Sequence, residues 1–240
     1  MMRSFYPMFI CAALALSSFA PSAGAAADGP KFPQAPIVYD DIESLQRGAA
    51  VFANHCLGCH SAQYLRYGRL SEDLQIPSRQ IKELLINNEA NLADGMQSAM
   101  RAEDGKEWFH QAVPPDLTLV ARLRGVDWLY AYMRGFYRDP SRPTGWNNAV
   151  FENVAMPHVL SDLQGVYMNG ADGAMVQIRP GRLNETEYNE MVGDLVNFLS
   201  YAGEPSRAQR VKIGYLVMAF LLLLLLATYF LYREYWREIH

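Results

Sequence analysis

Residues 56–60 read Cys56-Leu57-Gly58-Cys59-His60. Cys-x-x-Cys-His is the attachment signature of c-type haem. The chemistry accounts for the spacing. Two thiols add to the two haem vinyl groups, and the next residue, His60, is held at the iron as its proximal ligand. Other uses of a cysteine pair fit less well. A thioredoxin-like pair needs a strand-then-helix context, whereas a helical pattern comes first here. A structural zinc site needs two more ligands, and the chain has no second cysteine pair. His55, just before the motif, reads as a surface residue or one that supports the site from outside.

Upstream of the motif, Asp40-Asp41 open a helical pattern in which Ile42, Leu45, Ala49 and Phe52 recur at helix spacing, predicting a helix over 42–54. Gly48 interrupts that apolar face at a cost of about 1 kcal/mol against Ala, which implies that another backbone passes closely. A second clear helix is predicted over 185–202. Asn184 is its N-cap, Glu187 completes a capping box, and Gly203 suits the exit. Its apolar face is Tyr188, Met191, Val192, Leu195, Phe198 and Leu199. Shorter helical patterns lie at 78–88 and 126–134. Segments 135–150 and 165–182 read as loops, with 173–179 the best strand candidate. The domain is thus mainly α with long loops, and a large buried cofactor gives such loops a reason to exist.

The chain ends are apolar for different reasons. Residues 1–26 combine Arg3, an apolar run over 9–16 and small residues at 21–26, the layout of a secretory signal peptide. The run is too short to span about 30 Å of hydrocarbon. Near the other end, 20 uncharged residues from Ile213 to Tyr232 lie between Lys212 and Arg233. At ~1.5 Å per residue they reach about 30 Å, and Tyr215, Tyr229, Tyr232 and Trp236 sit near the ends, where aromatic rings prefer the interface. The expected organisation is a signal peptide at 1–26, an exported cytochrome c domain at 27–208, a transmembrane anchor at 209–233 and a tail at 234–240. Basic residues flank both ends of the span, so they do not orient it. The signal peptide does: the domain is exported and the tail stays in the cytoplasm.

Composition narrows the function. The chain is 50% apolar and 19% charged, which excludes a disordered protein. A net charge of −4 argues against a nucleic-acid partner, which would demand a surplus of Lys and Arg. Signal cleavage removes Arg3 and no acid, leaving 20 basic and 25 acidic residues, a net charge of −5. It also removes Cys11, so both remaining thiols belong to the haem motif.

The sixth iron ligand decides the chemistry. An open site binds gas or peroxide, whereas Met or His closes it for electron transfer. Met156 lies in Asn153-Val154-Ala155-Met156-Pro157, where Pro157 stiffens the chain. Local spacing leaves Met100, Met168 and His158 in competition with it, while Met191 and Met218 read as packing residues.

The sequence resembles the cytochrome c1 family, the haem subunits of quinol–cytochrome c reductases (bc1 complexes), in their bacterial form. The likeness covers nearly the whole chain after the signal peptide. It rests on Arg47-Gly48 before Cys56-Leu57-Gly58-Cys59-His60-Ser61, on Tyr64 to Tyr67, on Pro114-Pro115-Asp116-Leu117-Thr118 followed by Ala121-Arg122-Leu123-Arg124, on Asn147, on Ala155-Met156-Pro157, and on Gly203-Glu204-Pro205, Arg207 and Arg210 ahead of the anchor. The resemblance implies one covalent haem c in a class I cytochrome c-like fold, with His60 and Met156 as axial ligands. It implies that Arg124 pairs with a haem propionate, that Pro114 and Pro115 line the proximal side with a carbonyl accepting from His60, and that Tyr67 packs by a haem edge. It further implies that helix 42–54 crosses helix 185–202 at Gly48, with Phe52 meeting Phe198 or Leu199. The implied partners are cytochrome b, a Rieske iron–sulfur protein, a soluble cytochrome c or similar carrier, and the membrane. The implied location is the bacterial inner membrane, single-pass, with the haem domain in the periplasm. A free-standing tethered shuttle or a haem sensor is the alternative, and a closed sixth position weighs against the sensor.

Overall fold

Asp41 starts helix α1 (Ile42–His55) by accepting a hydrogen bond from the Ser44 amide at 3.1 Å, and Glu43 sits in the first turn, where the helix dipole favours an acid. The computed structural model of the chain describes residues 31–86, 90–170 and 174–238, so the signal peptide expected at 1–26 lies outside the described residues. Pro33 opens one compact unit.

The core forms where α1 meets α8 (Glu185–Gly203). A Cβ added at Gly48 would fall inside contact distance of the Asp194 carbonyl and 2.7 Å from Phe198 Cβ, so only glycine admits this approach. Phe52 and Phe198 are fully buried, with ring centroids 5.5 Å apart. The crossing expected at Gly48 is therefore present, with the expected aromatic pair. Beside it, Arg47 forks onto Asp194 through bonds of 2.6 and 3.0 Å. The α8 start carries the capping box read from Asn184 and Glu187.

Between these helices run β1 (Ala62–Arg66), α2 (Tyr67–Leu74), α3 (Ser78–Leu84), β2 (Gly95–Met96), α4 (Ala102–Trp108), α5 (Val120–Arg124) and α6 (Val126–Arg134). There follow β3 (Phe136–Arg138), β4 (Trp146–Asn148), α7 (Ser161–Gln164), β5 (Gly165–Asn169) and β6 (Met175–Pro180). β1 pairs antiparallel with β2. The segments expected as loops at 135–150 and 165–182 instead hold a four-stranded sheet in the order β4-β3-β5-β6. β3 pairs antiparallel with β4 and parallel with β5, where Arg138 faces Met168. Strands of three residues carry too short a pattern to be seen as alternation, and the parallel pairing depends on chain 30 residues away. The strand expected at 173–179 appears as β6.

The chain leaves α8 and enters α9 (Arg207–Tyr235), 29 residues with none buried and a mean hydropathy of 2.4 over its most apolar window. It is long and apolar enough to cross a membrane.

Candidate haem site

Past α1 the backbone makes one more turn. The amides of Cys59 and His60 both donate to the Cys56 carbonyl, at 3.0 and 2.8 Å. This turn lets Cys56, Cys59 and His60 all line one cavity of about 300 Å³ whose walls are almost entirely apolar. The two thiols are not joined in a disulfide. Burial pushes the Cys56 thiol up to about 12, with the neighbouring Cys59 adding to the shift, and burial also raises Cys59.

His60 is fixed by the segment that follows α4. Pro114 and Pro115 have no amide hydrogens, which disfavours a helix or ladder here, and residues 112–117 form neither. Asp116 accepts from the Gln63 amide (2.8 Å) and the Thr118 amide (2.9 Å), and the Leu117 amide donates to the Ser61 carbonyl (2.8 Å). These bonds lace the Pro-Pro segment to the residues after the motif. The result is that His60 Nδ1–H donates to the Pro115 carbonyl at 2.8 Å. A carbonyl only accepts, so Nδ1 carries the proton and Nε2 keeps its lone pair. Burial lowers the His60 pKa, and the Pro115 bond and Asp116 oppose it.

Met156 lines the same cavity, between Ala155 and Pro157. The Tyr132 hydroxyl donates to its Sδ at 3.5 Å. Burial raises the pKa of Tyr132, which keeps that hydroxyl protonated. The competing candidates Met100, Met168 and His158 do not line the cavity. His158 is buried and stacked on Phe136 with centroids 4.8 Å apart and planes 1° from parallel. Burial drops its pKa to about 4.

Of the other expected residues, Pro114, Pro115 and Arg124 line the cavity. The Arg124 guanidinium lies 5.2 Å from the Trp128 ring centroid and 5.6 Å from that of Phe151. Tyr67 does not reach the cavity. It starts α2 fully buried in the core, beside Leu70 and Leu74. His55, read as a surface residue or one that supports the site from outside, lines the cavity, and so do Trp128, Tyr132 and Met133, which sequence reasoning did not assign. Trp128 and Tyr132 stack at 4.9 Å, one helical turn apart on α6. Their i, i+4 spacing was the available signal.

Two thiols, an imidazole with one nitrogen left free and a thioether, converging on an apolar cavity, are a donor set that fits a covalently attached haem. The profile of the cytochrome C1 family matches residues 34–239. The chain belongs to the cytochrome C1 family. Among relatives, the cytochrome c1 of Allochromatium vinosum is 43% identical over 227 residues, covering 90% of this chain and 93% of that protein. A Nitrosomonas europaea protein named ammonia monooxygenase gamma subunit is 46% identical over 211 residues, covering 88% and 89%. Cytochrome c1 of Rhodospirillum rubrum is 26% identical over 239 residues, covering 83% of each. A cytochrome c1 is the electron-transfer haem subunit of a bc1 complex and carries a covalently bound c-type haem. The mainly α haem domain and its C-terminal apolar helix accord with that family.

Proposed function

We propose that this chain takes electrons from a mobile Rieske iron–sulfur domain and hands them to a soluble cytochrome c or similar carrier, within a complex that also contains cytochrome b. A single haem c, when bound, supplies a one-electron iron couple. The chain's own residues do the rest. Cys56 and Cys59 would hold the group covalently, His60 would offer Nε2 because Pro115 occupies Nδ1, and Met156 would offer its thioether as the second protein ligand. Arg124 offers a planar fork that suits a propionate. The apolar walls exclude water. The observation that carries this reading is the convergence of His60, with its Pro115 bond, and Met156 on one apolar cavity.

The reading includes a topology. A signal peptide at 1–26 exports the domain of 27–208 to the periplasm, residues 209–233 anchor it in the bacterial inner membrane, and 234–240 remain in the cytoplasm. The exported chain's charge of −5 suits a positively charged carrier.

Gentle detergent purification of the full chain through a C-terminal tag tests the proposal. Cytochrome b and a Rieske protein should co-purify in constant ratio. Recovery of the chain alone would favour a tethered shuttle, and recovery with monooxygenase subunits would replace the reading with one built on the Nitrosomonas relative.

A further inference from the structure

Met156 sits in an irregular segment, 149–160, which has no strand or helix of its own. A thioether is a weak ligand, so something else has to hold this segment in place. The hairpin β3–β4 grips it on both sides of Met156.

On the upstream side the grip comes from Asn147, which is 7% exposed. Its Oδ1 accepts from the Asn148 amide and from the Asn153 amide, both at 2.9 Å. Its Nδ2 donates to Asp139 Oδ2 at 2.9 Å, and Asp139 also takes the Ser141 amide (3.0 Å) and hydroxyl (2.6 Å). Asn153 stands three residues before Met156 in the left-handed region, at φ 60°, a conformation that asparagine tolerates better than most residues. Arg142, on the turn between the strands, closes over it: Nη1 donates to Asn153 Oδ1 at 2.8 Å and Nη2 to its carbonyl at 3.1 Å. On the downstream side, Phe136 of β3 stacks on His158, and Trp146 of β4 meets the same ring edge-on at 5.2 Å. His158 is two residues past Met156.

We infer that Asn147 is the positioning residue of the sixth-ligand segment: through Asn153, and braced by Asp139, it holds Met156 at the cavity. This rests on the reading of Met156 as the ligand. A buried amide is suited to the task because it accepts two backbone hydrogens with one end while donating with the other. Outer partners of this kind change ligand affinity by roughly 10–100-fold when removed.

The experiment uses the full-length haem-loaded chain and reads haem content, the thioether-to-iron charge-transfer band of the ferric form, and carbon monoxide binding to the ferrous form. Asn147→Ala should keep the haem attached, weaken the band, and raise carbon monoxide affinity about tenfold or more. Asn147→Asp alone should also weaken the band, since two carboxylates then face each other. The pair Asp139→Asn with Asn147→Asp reverses donor and acceptor while preserving every bond, and should restore the band. A merely structural role for Asn147 would not move the band in a protein with full haem content, so an unchanged band and unchanged carbon monoxide affinity in Asn147→Ala would overturn the inference. Should Asn147→Ala not accumulate, a double variant no better than Asn147→Asp would overturn it equally. Met156→Leu separates the two claims. If it loses the band while Asn147→Ala keeps it, only the positioning role falls; if it keeps the band, the ligand reading falls and takes the positioning role with it.

Discussion

At Pro115 a backbone carbonyl does what few side chains could do as selectively. It can only accept, so it fixes the tautomer of His60 and leaves the Nε2 lone pair free. Residues 56–60 were legible in the sequence because covalent attachment imposes a local spacing. Local spacing left Met156 as one of several candidates, because nothing local distinguishes a ligating thioether from a packing one, and the family resemblance singled it out. Tyr132 was not legible at all, since its hydroxyl meets Met156 across 24 residues. That contact has a consequence for the redox potential. A donor on sulfur draws electron density from the thioether, which disfavours the ferric state. Tyr132→Phe should lower the midpoint potential while keeping the charge-transfer band. One neutral hydrogen bond is worth about 1 kcal/mol, so the shift should be about 40 mV or less. A redox titration that finds the potential raised would reverse the sign of this argument.

At the scale of elements, a close backbone approach to α1 was legible because a glycine on an apolar helical face gives up packing and helix propensity, a cost that such an approach offsets, while α8 as the partner came from the family resemblance. Phe52 is one turn further along that face. The hairpin was not legible. Phe-Tyr-Arg and Trp-Asn-Asn show no alternation, and what joins β3 to the sheet is a parallel pairing with β5. Tyr67, which the family resemblance set by a haem edge, opens α2 inside the core. The α1–α8 contact yields a contrasting pair of variants. Gly48→Val forces a side chain into the Asp194 carbonyl and the base of Phe198, and should cost about 1–3 kcal/mol or more by overpacking. Arg47→Ala removes an ion pair whose Arg side chain is 57% exposed, and should cost less than about 1 kcal/mol. Thermal unfolding of the haem-loaded protein checks both. Equal destabilisation by the two would mean that the close approach is not what Gly48 is for.

For the whole molecule, charge and anchor act at different steps. Residues 27–240 carry a net charge of −5, which should speed encounter with a basic carrier and should do so less as salt rises. The span within α9 should hold the domain where quinol-derived electrons arrive, and Gly214, Ala219 and Ala227 are small enough to admit a close neighbouring helix. Deleting residues 209–240 should therefore release a soluble cytochrome with an unchanged haem spectrum, able to reduce a basic carrier at a rate that falls with ionic strength. A rate indifferent to salt would remove charge from the docking step. The central claim is that this haem lies on the path from quinol to the carrier. Its most direct test is rapid mixing of quinol with the purified complex while the c-haem absorbance is followed. The haem should become reduced within a turnover and be reoxidised when carrier is added; steady turnover to the carrier with the c haem remaining oxidised and uninvolved would contradict the account.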